Sequence, residues 1–361
     1  MLFAILALRA PAGSGFDVTL RVDLESAEKT IGLYEGLSGR PEDIARLRGS
    51  RIALATTAFL AQQRLDLNAL EDALEAAKFN QRSGDDVFEM NDGRENVREL
   101  KELLDAVKRR NFGAKVVGTV EQLFPEGTSI RSTIPIYFVA FGHQNIDAFV
   151  QRVEWQGDTP MFVGEGKGEL TIVVNLSKAI SYGRVLDERF IWMLSVVAHE
   201  VFHAAFGVYK DGSPSWRAYY ATRKSYLDQL LDLTQNEGIA HYLSLIQRTG
   251  GKLRNDQVEK VHSSFSEFNR TATELLSKNI IPHRARELIR ISNTSGYWES
   301  YGVITGMIIA RQIDQTMGRQ ALMETIEKGP GDFFGKYVGL MRKDNSLPLL
   351  GQEVVERIPI R

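Results

Sequence analysis

Apolar positions recur at helical spacing through the first third of the chain. In DLESAEKTIGLYEGLSG (23–39), Ala27, Ile31 and Leu33 mark the apolar side of a predicted helix and Gly39 reads as its stop. LNALEDALEAAKF (67–79) repeats leucine and alanine at the same spacing, and DGRENVRELKELLDAVKRR (92–110) predicts a charged amphipathic helix capped by Asp92. Charge runs in this region read as solvated faces. The pattern changes near residue 130. IPIYFVAF (134–141) and ELTIVVNLS (169–177) are rich in β-branched and aromatic residues and predict strands. Between them, GEGKGE (164–169) is followed by a strand rather than a helix, so it reads as a flexible hairpin loop and not a phosphate cradle. From residue 185 the chain is mostly helical to its end. The expected class is α+β, mainly helical: a helical region over 16–127, then a domain over 128–361 with a small sheet.

The chain has 361 residues, 43% of them hydrophobic, which is enough for a sizeable core. A net charge of −2, with only short basic clusters such as Lys108–Arg110, excludes the usual electrostatic footprint of a nucleic-acid partner. There is no cysteine, so disulfides and thiolate metal sites are excluded, while the compartment stays open. MLFAILALRAPAGSG (1–15) opens on eight apolar residues and has a small-residue stretch at 10–12, but no basic segment precedes them. It reads either as the remnant of an export signal, placing the protein outside the cytoplasm, or as a short strand or disordered tail. No other run is read as a membrane span.

The candidate chemistry lies in LDERFIWMLSVVAHEVFHAAFG (186–207), which predicts a helix ending at Gly207. Residues four apart share a helical face, so His199 and His203 can point at one metal ion. Glu200, offset by about 100°, lies beside that ion and can take a proton from its water. The surrounding residues are apolar or small, and burying this trio without partners would be costly. A catalytic zinc takes three protein ligands and keeps one position open. In LLDLTQNEGIAHYLSL (230–245), Glu237 stands among apolar residues and is the expected third ligand. His241 is its rival on the same face. Glu237 is preferred because Gly238 beside it allows close helix approach. A di-iron bundle would instead use Glu200–His203, Glu259–His262 and Glu237.

H-E-x-x-H followed by a helix bearing N-E-G-x-A resembles the gluzincin metallopeptidases, of which thermolysin is one. It resembles more closely a family of bacterial zinc-dependent peptidases of unknown function, over about 130–345, including the tyrosine-led tail YGVITGMIIARQIDQTMGRQALMETIEKGPGDFF (301–334). The resemblance implies a zincin-like catalytic domain and one zinc per chain on His199, His203 and Glu237. It implies hydrolysis of a peptide or protein substrate by zinc-activated water, with Glu200 as general base. Tyr301 and Tyr297, in SGYWESYG, are the candidate oxyanion donors. ELTIVVN would serve as the edge strand that pairs with extended substrate. Two features depart from thermolysin: the interval from His203 to Glu237 is longer, and His241 stands where an aspartate would orient a histidine ligand. A zinc-bearing binding protein without hydrolase activity is the alternative reading.

Overall fold

The computed structural model describes residues 15–358 apart from 38, 82–85, 145–146, 165–166 and 294–297. Apart from Gly15, the N-terminal stretch read as an export remnant or tail lies outside the described residues. The described chain forms two compact units: residues 17–118 with 132–204, and residues 15–16 and 119–131 with 205 onward. Helices dominate both, and one small sheet accompanies them, as expected of a mainly helical α+β chain.

The sheet has five strands: β1 (Phe16–Asp23), β2 (Ile130–Val139), β3 (Ala148–Gln156), β4 (Thr159–Phe162) and β5 (Glu169–Asn175), in the order β1-β2-β5-β3-β4. β5 runs parallel to β2 and antiparallel to β3. From Ile134 to Val139 every residue of β2 is buried, as in a strand covered on both faces. Around the sheet lie α1 (Glu25–Tyr34), α2 (Pro41–Ala45), α3 (Arg48–Ala61), α4 (Leu67–Lys78), α5 (Met90–Glu95), α6 (Val97–Arg109), α7 (Phe112–Glu121), α8 (Leu176–Ala179) and α9 (Leu186–Gly212). Phe112 of α7 meets Phe138 of β2 and Phe190 of α9 edge-on, at 5.5 and 5.9 Å between ring centres. Such pairs add specificity to the area they bury.

The structure corrects the sequence reading at several points. Residues 16–23, inside the stretch read as helical, form β1: Phe16, Val18 and Leu20 are buried in strict alternation, a period-two signal in a short run. The connection between the two expected strands is not only a loop. It holds the β3–β4 hairpin, turned at Gly157 with φ of 62°. α1 ends at Tyr34, and Gly36, with φ of 74°, supplies the left-handed residue after its cap, three positions before Gly39. Asp92 caps nothing. It sits inside α5, and the carboxylate of Asp86 accepts the backbone N–H groups of Met90 and Asn91 instead.

The second unit is built from α10 (Pro214–Thr222), α11 (Tyr226–Thr249), α12 (Asn255–Leu275), α13 (Pro282–Asn293), α14 (Tyr301–Met317), α15 (Arg319–Lys328), α16 (Pro330–Met341) and α17 (Gln352–Arg357). A reciprocal capping box between Ser225 and Asp228 starts α11. Gly238 on α11 and Gly306 on α14 let the two backbones touch. A Cβ at Gly238 would lie 2.3 Å from the Gly306 carbonyl carbon, and one at Gly306 would lie 2.0 Å from the Thr234 carbonyl oxygen. The close approach expected at Gly238 is present, and its partner is α14.

Candidate metal centre

α9 is a core helix with one window. From Met193 to Phe206 every residue is buried except His199, Glu200 and His203, which are half-exposed. Each large apolar side chain taken from water here contributes about 1.5–3 kcal/mol. Those contacts, rather than the polar trio, therefore fix where the helix lies. They also carry α9 past Gly207, the expected stop, for a further turn and more to Gly212. Phe206 is fully buried and packs edge-on against Trp216 at 5.3 Å, so the packing outweighs the roughly 1 kcal/mol a mid-helix glycine costs. α9 is also long and apolar enough to cross a membrane, which the sequence reading discounted. Yet 61% of its most apolar window is buried inside the protein, the mark of a core helix.

His199 and His203 place their Nε2 atoms 2.9 Å apart, with the rings 4.5 Å apart and nearly perpendicular. The i, i+4 spacing thus brings two imidazole nitrogens to one point. A carboxylate oxygen of Glu237, on α11, joins them, and the three donor atoms all lie within 4.8 Å of one another. Among the described residues this is the group of three or more such side chains able to hold a metal ion. Ligand atoms on a tetrahedral zinc, with bonds of about 2.0–2.2 Å, stand about 3.3–3.5 Å apart. Two imidazole nitrogens and one carboxylate oxygen, half-buried, are donor types that suit that ion, with the nitrogen pair at 2.9 Å tighter than this spacing.

His241 does not enter the cluster. Its Nδ1 lies 3.0 Å from the backbone oxygen of Glu237 and 3.8 Å from the Glu237 carboxylate. Nδ1–H donates to that carbonyl, so His241 braces the residue it rivals. Tyr301 opens α14 with its hydroxyl 2.7 Å from Thr271 Oγ1 and 3.4 Å from the Leu288 carbonyl. Burial raises its phenol above the ordinary range, partly opposed by the Thr271 bond, so it stays protonated. Tyr297 lies outside the described residues. Glu259 and His262 are both exposed on α12, which leaves the di-iron set without its second pair. β5 is no edge strand: β2 and β3 occupy its two sides, and the sheet edges are β1 and β4.

The long interval between His203 and Glu237 is filled by α10, which the sequence reading did not separate. Its Trp216 is buried and donates from Nε1 to the Ile326 carbonyl at 2.8 Å. Ser213-Pro214, an extended residue followed by proline at the first helical position, is the signal that marks it.

This mainly helical chain carries a His199, His203 and Glu237 group that could hold a metal ion. The family described as "Putative zinc dependent peptidase (DUF5700)" matches residues 42–346, and the chain belongs to that family. No curated protein and no solved structure gives a match.

Proposed function

We propose that this protein is a zinc-dependent peptidase of the gluzincin type, with a zincin-like catalytic domain and one zinc per chain. The observation that carries this reading is the meeting of two imidazole nitrogens and the Glu237 carboxylate at the half-exposed window of α9. His199, His203 and Glu237 would hold the ion. When bound, zinc would supply Lewis-acid polarisation of a carbonyl and a water of lowered pKa.

The chain's own part in the reaction falls to Glu200. One residue from a ligand and offset by about 100°, its carboxylate accepts the proton released as water attacks the peptide carbon. It then delivers that proton to the leaving nitrogen as the C–N bond breaks. Developing negative charge on the former carbonyl oxygen needs a donor, assigned to Tyr301 or Tyr297. Tyr301 is protonated, but in that role its hydroxyl would have to leave Thr271. The substrate is a peptide or protein chain.

Metal content by mass spectrometry, paired with digestion of a peptide library, tests the proposal. One zinc per chain and cleavage that stops with chelator and returns with zinc are expected. Two irons would overturn the metal assignment. Bound zinc with no cleavage of any peptide would turn the reading to the non-catalytic binding protein.

A further inference from the structure

The side of α9 that carries His199 also carries a tryptophan. Residues seven apart on a helix point nearly the same way, with a drift of only about 20°. Trp192 stands seven positions before His199, and Val185, just ahead of the helix, stands seven before Trp192. Trp192 and His199 are half-exposed, whereas Ser195 and Val196 between them are buried. Trp192 stacks on Tyr182, with ring centres 5.0 Å apart and planes 22° from parallel. The Tyr182 hydroxyl donates to Asp147 Oδ2 at 2.6 Å. Asp147 is itself held by the sheet. Its carbonyl accepts the N–H of Asn175, the last residue of β5, and its other carboxylate oxygen accepts the N–H of Ala148, the first of β3. All of these residues belong to the same compact unit as His199 and His203.

The indole is thus a rigid ring, backed by a second ring that the sheet holds, yet still half in water. A ring fixed in this way loses little conformational freedom when it takes a partner, and covering its apolar face is favourable. The surroundings say which partner. Val185 and Ile191, on either side of Trp192 in the chain, are apolar and 56% and 42% exposed. Charges nearby balance, Asp147 and Glu188 against Arg184 and Arg189. Glu188 accepts the Arg184 backbone N–H, and the Arg189 guanidinium donates to the Gly183 carbonyl. Such a surface suits a neutral apolar side chain rather than a charged one. At 1.5 Å per residue Trp192 lies about 10 Å along the helix from His199, which extended peptide covers in about three residues.

We propose that Trp192 determines the substrate preference of the peptidase: it receives an aromatic or large aliphatic side chain two or three residues from the bond that is cut. Tyr182 and Asp147 are positioning residues that hold the indole in place. The inference rests on the peptidase reading above.

The test digests a peptide library with the zinc-loaded full chain and then measures kcat/KM on matched peptides. These carry phenylalanine or alanine two or three residues from the cut bond. Wild type should favour phenylalanine about tenfold or more, within the range an apolar pocket supplies. W192A should bring that ratio close to one while retaining its zinc, and W192F should restore most of it. Y182F unties the backing ring from Asp147 and should lower the ratio part of the way. A purely structural stack would change stability in these variants and leave the ratio alone, so an unchanged ratio in W192A would overturn the inference. If W192A does not fold, W192Q decides by the same ratio. A wild-type preference for arginine or lysine there, or no preference, would overturn the inference and leave the peptidase reading intact. Failure to cleave any peptide would overturn that reading, and the inference with it.

Discussion

Glu200 and Glu237 are both half-buried glutamates beside the histidine pair, yet they are assigned different work. Glu200 adjoins a ligand on the same helix, whereas Glu237 brings its carboxylate from another helix to the two nitrogens. Glu200→Gln keeps the shape and the ligands. It should retain zinc while hydrolysis falls about 10²- to 10⁴-fold, measured as kcat/KM on a cleavable peptide. Near-normal turnover would remove Glu200 from the reaction. Glu237→Ala should lose most zinc affinity, because only two protein ligands remain. His241→Ala removes the brace on the Glu237 carbonyl, so zinc affinity should fall by no more than about 10- to 100-fold. The reverse order would make this a three-histidine site. Glu200, His199 and His203 were legible because five consecutive residues on one helix carry their own geometry. Glu237 stood out only as an acid out of place among apolar neighbours, and the sequence alone left His241 as its rival.

Helices bring these residues together through contacts that are themselves specific. Gly238, next to Glu237, lies against Gly306 of α14 with no room for a methyl group on either side. Gly306→Ala would drive a Cβ into the Thr234 carbonyl oxygen, and backbone cannot turn aside as a side chain can. Overpacking of this kind costs about 1–3 kcal/mol or more. The expected outcome is a lower denaturation midpoint together with weaker zinc binding, because separating α11 from α14 moves Glu237. Asp66→Ala is the contrasting case. Asp66 caps α4 by accepting the Ala69 N–H at 3.0 Å, and its loss should cost about 1 kcal/mol with zinc affinity unchanged. A midpoint for Gly306→Ala equal to the wild type would show that the helix crossing yields easily.

Across the whole molecule, the proposed ligands are drawn from positions 199 to 237, so an unfolded chain would offer no comparable set. Zinc should therefore stabilise the native protein by mass action. With free zinc at 100 times Kd the gain is about 2.7 kcal/mol. Thermal denaturation of chelated and zinc-loaded protein should show a clear upward shift that Glu237→Ala abolishes. A shift of the same size in that variant would mean that zinc binds elsewhere.

The sequence by itself determined what depends on near neighbours. Periodicity marked helical stretches within 23–39, 67–79, 92–110, 186–207 and 230–245 and two strands, though 92–110 divides into α5 and α6, and the i, i+4 pair of histidines and their glutamate followed from helix geometry alone. It left open what depends on packing. β1 was read as part of a helical region because eight alternating residues carry a weak local signal, and it forms as a strand of the five-stranded sheet. α9 outran Gly207 because burial of Phe206 against Trp216 outweighs the glycine's cost. β5 proved central rather than marginal because the β3–β4 hairpin, hidden in a presumed loop, covers its side. Between Glu237 and His241 helical spacing could not choose, since both share a face, and the Glu237 carboxylate is the one that groups with the two histidines.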